Sequence, residues 1–181
     1  MISRILKLTR RLGAQLSPES GSASIPFLLV APAFFFIFVN AFEIQVHSVR
    51  QVMVDRALDL AVRDVRVGYL KVPTHDDLTA RLCYYAKVIE NCERDIRLEM
   101  IKVDPRNWVT PAVSAPCRDR EEEATDFPIG SLENNDLMIL RVCILFDPTF
   151  NYAGVGRKIV EPGKEYYALR AASSYVVEPY Q

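Results

Sequence analysis

Residues 25–42 read IPFLLVAPAFFFIFVNAF, a run with no ionisable side chain, interrupted only by Asn40, Pro26 and Pro32. Begun at Ser22, the stretch makes a helix of about 31 Å at roughly 1.5 Å per residue. That matches the roughly 30 Å hydrocarbon thickness of a bilayer. A soluble core rarely needs so continuous a run with three consecutive phenylalanines, so the pattern predicts one membrane span over a buried helix. Pro26 falls in its first turn, where a missing N–H costs little. Pro32 removes an interior hydrogen bond and is expected to bend the span. Secretion-signal cleavage after Ala41 is the weaker reading. The leader is about 24 residues and the apolar segment exceeds the usual 7–15 of such signals.

Charge and cysteine use then assign sides. Of the 22 basic and 23 acidic residues, Arg4, Lys7, Arg10 and Arg11 precede the span against Glu19 alone. Glu43 is the first charge after it and Arg50 the next. The positive-inside rule places the N-terminus in the cytoplasm and the larger part outside. All four cysteines, Cys83, Cys92, Cys117 and Cys143, lie beyond the span. In an oxidising compartment they suggest two disulfides, with three connectivities open. Local economy favours Cys83 with Cys92, pinning a helix end to the next turn, and Cys117 with Cys143. Zinc is a poor alternative, since there is no CxxC pair and neither His47 nor His75 has a cysteine at close ligand spacing. No basic block suits a phosphate backbone, which argues against nucleic acid.

The rest reads as a compact α+β unit. Residues 2–16 have an amphipathic rhythm suited to the inner leaflet, and SPESGSAS (17–24) breaks it. After the span, Val46, Val49, Met53, Ala57, Leu60 and Val65 recur at helical spacing, with Gly68 as a stop. This predicts a helix of about 45 residues, half in lipid and half in water, with an Asp59–Arg63 pair in support. Thr74 caps a second helix carrying Leu78, Leu82 and Ile89, with Asp76 and Asp77 in its first turn. Residues 94–103 alternate as a strand, residues 137–146 form the strongest strand, and 165–177 a last one. Met138, Leu140, Val142, Ile144 and Phe146 should face one way and Arg141 and Cys143 the other. Residues 151–163 read as an exposed excursion, and the charge run 118–123 as solvated surface without the ligand pattern of a calcium loop.

No motif for catalysis, cofactor or metal binding appears: no GxSxG, Gly-rich phosphate loop, HExxH or CxxC. His47, near the outer interface, reads as a polar-face residue. Asn40 and Glu43, three residues apart, either mark the outer end of the span or bond another helix, a contact worth about 0.6–2 kcal/mol.

The stretch ESGSASIPFLLVAPAFFFIFVNAFEIQ resembles the start of the TadE/TadF-like minor pilins of tight-adherence (Flp, type IVb) pilus systems. Members show a basic leader, then G-(S/A)-x-x-x-E-F, an apolar stretch with an internal proline, and a late glutamate. Gly21-Ser22 matches the prepilin peptidase cleavage position, Phe27 the aromatic, Pro32 the proline and Glu43 the glutamate. Residues 55–68, 137–148 and 173–179 and the four cysteines look like the TadF-type alphaproteobacterial branch. One position departs: Pro26 stands where the family carries the glutamate five residues after cleavage. That carboxylate is thought to pair with a neighbouring subunit's new N-terminal amine, which would otherwise sit unpartnered among apolar helices.

The expectation is thus a pilin-like α+β fold, with a long N-terminal helix packed on a small antiparallel sheet and a second short helix. Its parts are a leader (1–21), a span (22–42), an amphipathic half-helix (43–68) and an α+β region (69–181) sharing one core with it. The resemblance implies a non-enzymatic minor pilin-like subunit or assembly factor, initiating or terminal because of Pro26, in the bacterial cytoplasmic membrane with its outer domain in the periplasm. Gly21 and Ser22 would be processing residues, and Phe27, Leu28, Pro32, Asn40 and Glu43 would pack helices. Implied partners are other minor pilin-like subunits, the major Flp pilin, the prepilin peptidase and the pilus machine's membrane platform. The alternative is a single-span envelope structural or sensor protein outside any filament.

Overall fold

The computed structural model describes residues 24–70, 73–87, 89, 91–110, 115, 117–120 and 133–178. Its elements are α1 (Ser24–Arg66), α2 (His75–Tyr85), α3 (Cys92–Asp95), β1 (Ile96–Val103), β2 (Leu137–Phe146), α4 (Gly154–Ile159) and β3 (Tyr167–Val176). The chain divides into two compact units, one ending at Phe38 and the other beginning at Val39. The expected leader (1–21), with Gly21 and Ser22, lies outside the described residues.

In the first unit, α1 is long and apolar enough to cross a membrane, and none of its most apolar stretch is buried. Phe27, Leu28, Phe34, Phe35 and Phe36 are all exposed. Pro26 falls in the first turn and Pro32 lies inside the helix without ending it.

The second unit is an α+β layer. Its sheet has the order β1-β2-β3, with both pairs antiparallel. β2 carries the expected alternation. Met138, Leu140, Val142, Ile144 and Phe146 join Ile96, Leu98 and Met100 of β1 and Tyr167, Leu169 and Tyr175 of β3 in the main core. Val54, Ala57, Leu58, Ala61, Val62 and Val65 of α1 complete it, with Leu78 and Leu82 of α2. Ala57 and Ala61 are four residues apart on one face and let the helix backbone approach closely. α2 starts at a capping box: Asp77 N–H donates to Thr74 Oγ1 at 3.2 Å, and Thr74 N–H donates back to Asp77 Oδ2. Those Thr74 hydrogen bonds lower the Asp77 pKa.

The buried stripe of α1 differs from the sequence reading. Val49 is exposed, and Val46, Met53 and Leu60 are only half-buried. The helix turns so that Val54 and Leu58 face the sheet, and Asp59 accepts the Ser173 hydroxyl. The reason is polar. The same face carries Asn40, Glu43, His47 and Arg50 further back, and these side chains need partners that only the domain offers.

The reverse face of the sheet holds Glu99 directly opposite Arg141, which it pairs at 2.5 Å. A small cluster of Ala115, Cys143, Leu145 and Tyr166 is buried there. Two disulfides close the domain. Cys83–Cys92 joins α2 to the start of α3, and Cys117–Cys143 ties residues 117–120 to β2. A loop of 26 residues gains more from closure than one of 9, on the order of 3–4 against 2–3 kcal/mol. Serine replacement of Cys117 and Cys143 should therefore lower the denaturant midpoint of the detergent-solubilised chain more than the same change at Cys83 and Cys92. The first change should also open residues 117–120 to proteolysis.

Candidate functional site

α1 presents Asn40, Glu43, His47 and Arg50 at spacings of three, four and three residues, a single helical stripe. Asn40, Glu43 and Arg50 bind the segment that leaves β2, and His47 packs on the first residue of β3. Asn40 Oδ1 accepts the Val155 N–H at 2.6 Å. Glu43 Oε1 accepts the Thr149 N–H and Oε2 the Phe150 N–H, each at 3.0 Å. The His47 ring lies 5.2 Å from that of Tyr167. Arg50 Nη1 donates to the Asp147 carbonyl and to the Tyr167 hydroxyl, both at 2.8 Å, and the guanidinium sits over the Phe146 ring. About three turns of one helix thus hold residues 147–155 through main-chain contacts, with ring contacts to Phe146 and Tyr167 on either side.

Glu43 is the centre of this ladder. It is 1% exposed, more deeply buried than any other charged residue described. A buried oxygen without a donor costs about 1–3 kcal/mol, so the two amides are a requirement for burying this side chain. Two glycines make the approach possible. A Cβ at Gly154, where φ is +73°, would lie 2.1 Å from Asn40 Oδ1; one at Gly156 would lie 2.0 Å from the Phe150 carbonyl oxygen. Phe42 adds an edge-to-face contact with Phe150.

Next to the ladder is an ion-pair group that sequence reasoning missed. Arg120 Nε and Nη2 grip both carboxylate oxygens of Asp95 at 2.9 and 3.0 Å, and Nη1 reaches Asp147 at 2.6 Å. Burial opposes the Arg120 charge, but its hydrogen bonds to Asp147 and Asp95 outweigh it and raise the pKa. Asp119 pairs with Lys164 and accepts the Tyr166 hydroxyl. Residues 118–120 are therefore docked structure where a solvated run was expected. The available signal was Cys117 immediately before them. A cavity of about 190 Å³ opens here, lined by Arg50, Arg94, Asp95, Arg120 and Asp147. Those guanidiniums already face carboxylate or carbonyl partners.

The structure brings Asn40 and Glu43 together on their own domain, while Phe27, Leu28 and Pro32 remain exposed on α1. Residues 154–159 form a short helix inside the expected excursion. Among the described residues no group of three His, Cys, Asp or Glu side chains could hold a metal. His75 lies beside exposed Asp76 at 3.7 Å. The ladder fixes a loop to a helix.

Comparison with family models, with curated proteins and with solved structures found no match to the chain. The resemblance to TadE/TadF-like minor pilins rests on the residues that carry it.

Replacing Glu43 with Ala removes both acceptors and should cost about 2–4 kcal/mol, read as a lower denaturant midpoint. Glu43→Gln keeps one acceptor oxygen and should cost less. Alkaline titration offers a second check. The Tyr85 phenol is raised by its hydrogen bond to Asp64, and burial raises Tyr166 and Tyr167, the latter against an opposing Arg50 hydrogen bond. A phenol whose folded pKa is raised contributes stability that is full below its unfolded value near ~10. That contribution is lost as pH rises through the folded value. Ultraviolet titration should show a late-ionising subset of the 8 tyrosines, with unfolding setting in only above about pH 10, and Tyr85→Phe should remove one late phenol.

Proposed function

We propose that the chain is a single-span envelope protein with a structural, non-enzymatic role. α1 anchors it in the cytoplasmic membrane, and the disulfide-stapled domain stands on the periplasmic side. The observation that carries this reading is the change of surface along one helix. Its first half turns apolar side chains outward, while its second half buries one face in its own sheet. A helix apolar all round belongs in lipid or a large core, and no core covers it among the described residues. The cysteine pairs support an oxidising side for the domain.

The resemblance narrows this to a minor pilin-like subunit or assembly factor of a tight-adherence pilus, with Gly21-Ser22 as the processing position. Other minor pilin-like subunits, the major Flp pilin, a prepilin peptidase and the pilus membrane platform would be its partners. Pro26, in place of a carboxylate, favours an initiating or terminal place over repeated insertion along a filament. A specific observation favours the alternative of a permanently anchored envelope protein outside any filament. Asn40 and Glu43, which a filament reading would offer to a neighbouring helix, are engaged within their own chain.

N-terminal sequencing of the membrane-extracted protein separates the two. A start at Ser22 is the outcome expected of the pilin route and a start at Met1 that of the permanent anchor. A start at Phe42 would overturn both by showing signal cleavage after Ala41. Recovery in the soluble fraction without detergent would remove the span reading altogether.

A further inference from the structure

We propose that residues 149–158 form a second contact with the bilayer, lying in the headgroup layer on the outer side. The proposal deepens the single-span reading and rests on it. Its geometric basis is the ladder. Thr149, Phe150 and Val155 are bonded to Asn40 and Glu43, which follow the first unit's last residue, Phe38, by two and five positions on one uninterrupted helix. Five residues of chain separate that residue from Glu43, which bounds the distance at about 18 Å even for a fully extended backbone. A loop held there cannot stand far from the membrane surface if the preceding run is dissolved in lipid.

The side chains suit that depth. Tyr152 is 87% exposed, and Phe42 and Phe150 pack together while both remain partly open. An exposed tyrosine in a loop bonded to Asn40 and Glu43 matches the aromatic enrichment of membrane–water interfaces, where the ring is apolar and the hydroxyl stays wet. Arg157 and Lys158 end the short helix, are exposed, and form no ion pair with a described residue. Arg56, Arg63 and Arg106 also form no ion pair with a described residue, so what sets Arg157 and Lys158 apart is their place in the segment that carries exposed Tyr152. Two exposed cations in the segment that carries an exposed tyrosine complement anionic phosphate headgroups. The loop backbone is irregular and cannot sit in hydrocarbon. Its amides at 149, 150 and 155 are satisfied by the helix, which lets it lie against the headgroups without leaving those donors unpaired.

The test places a tryptophan at position 152 of the full chain, with the native Trp108 changed to Phe, in vesicles of phosphatidylcholine and phosphatidylglycerol. A parallel variant carries Phe34→Trp in the same background. Brominated lipids quench indoles at known depth. The expected result is a blue-shifted emission at 152 that loses most of its intensity to bromine on the shallow acyl carbons, and quenching at 34 by deeper bromine. Arg157→Gln with Lys158→Gln should reduce the shallow quenching in vesicles containing phosphatidylglycerol, and have little effect in phosphatidylcholine alone. Water-like, unquenched emission at 152 with position 34 quenched would overturn the proposal and leave the span standing. Blue-shifted emission at 152 without lipid quenching would overturn it in favour of a covering protein. No quenching at either position would overturn the proposal together with the span on which it depends.

Discussion

The burial of the Glu43 side chain is the constraint on which the second unit depends. A carboxyl group shut away from water needs a donor for each oxygen, and here two successive main-chain amides supply them. That requirement fixes where the chain must run after β2, which rotamer-free stretch must contain glycine, and how α1 is rotated about its axis. Once Glu43 faces the domain, Asn40, His47 and Arg50 follow by helical spacing, and Val54, Ala57 and Leu58 come next on the same stripe. The helix thus uses one face for two kinds of contact, polar near the span and apolar over the sheet.

The sheet supplies the complementary halves. Its helix-facing side is apolar from β1 through β3, and its three antiparallel strands bury that side against α1 and α2. Its reverse side is narrower in apolar area and is closed by other means: the Glu99–Arg141 pair, the Cys117–Cys143 bridge and the docked segment that the bridge holds. A three-stranded sheet with one helix layer has a limited core, and covalent staples of this kind are the usual supplement in small extracytoplasmic domains. Arg120 extends the closure from the reverse side to the β2 exit by holding Asp95 and Asp147 at once.

The strand alternation was readable because period two survives in short windows. Alternation alone marks Leu137–Phe146 as a strand and sets the facing of its residues. The second helix was readable from Thr74 and the acidic pair after it, a local signal that needs no tertiary knowledge. The phase of α1 was not. Its apolar residues cover more than one face, so counting hydrophobic positions selects Val49, while the position that decides the rotation is a glutamate. The segment 151–163 looked like open loop for a related reason: Gly154 and Gly156 are there for close approach to Asn40 and Phe150, and glycine alone does not distinguish a tight approach from a free turn. Arg120 likewise acquires its partners from residues 25 and 27 positions away, beyond the reach of local pattern.

Residues 24–66 form one helix, and its polar rungs Asn40 and Glu43 carry the 149–155 loop. Hydrogen–deuterium exchange of the full chain in lipid nanodiscs measures this directly, amide by amide. Continuous protection through residues 39–43, together with slow exchange at Thr149, Phe150 and Val155, is the result the account predicts. Fast exchange at residues 39–43, or at those three loop amides, would contradict it.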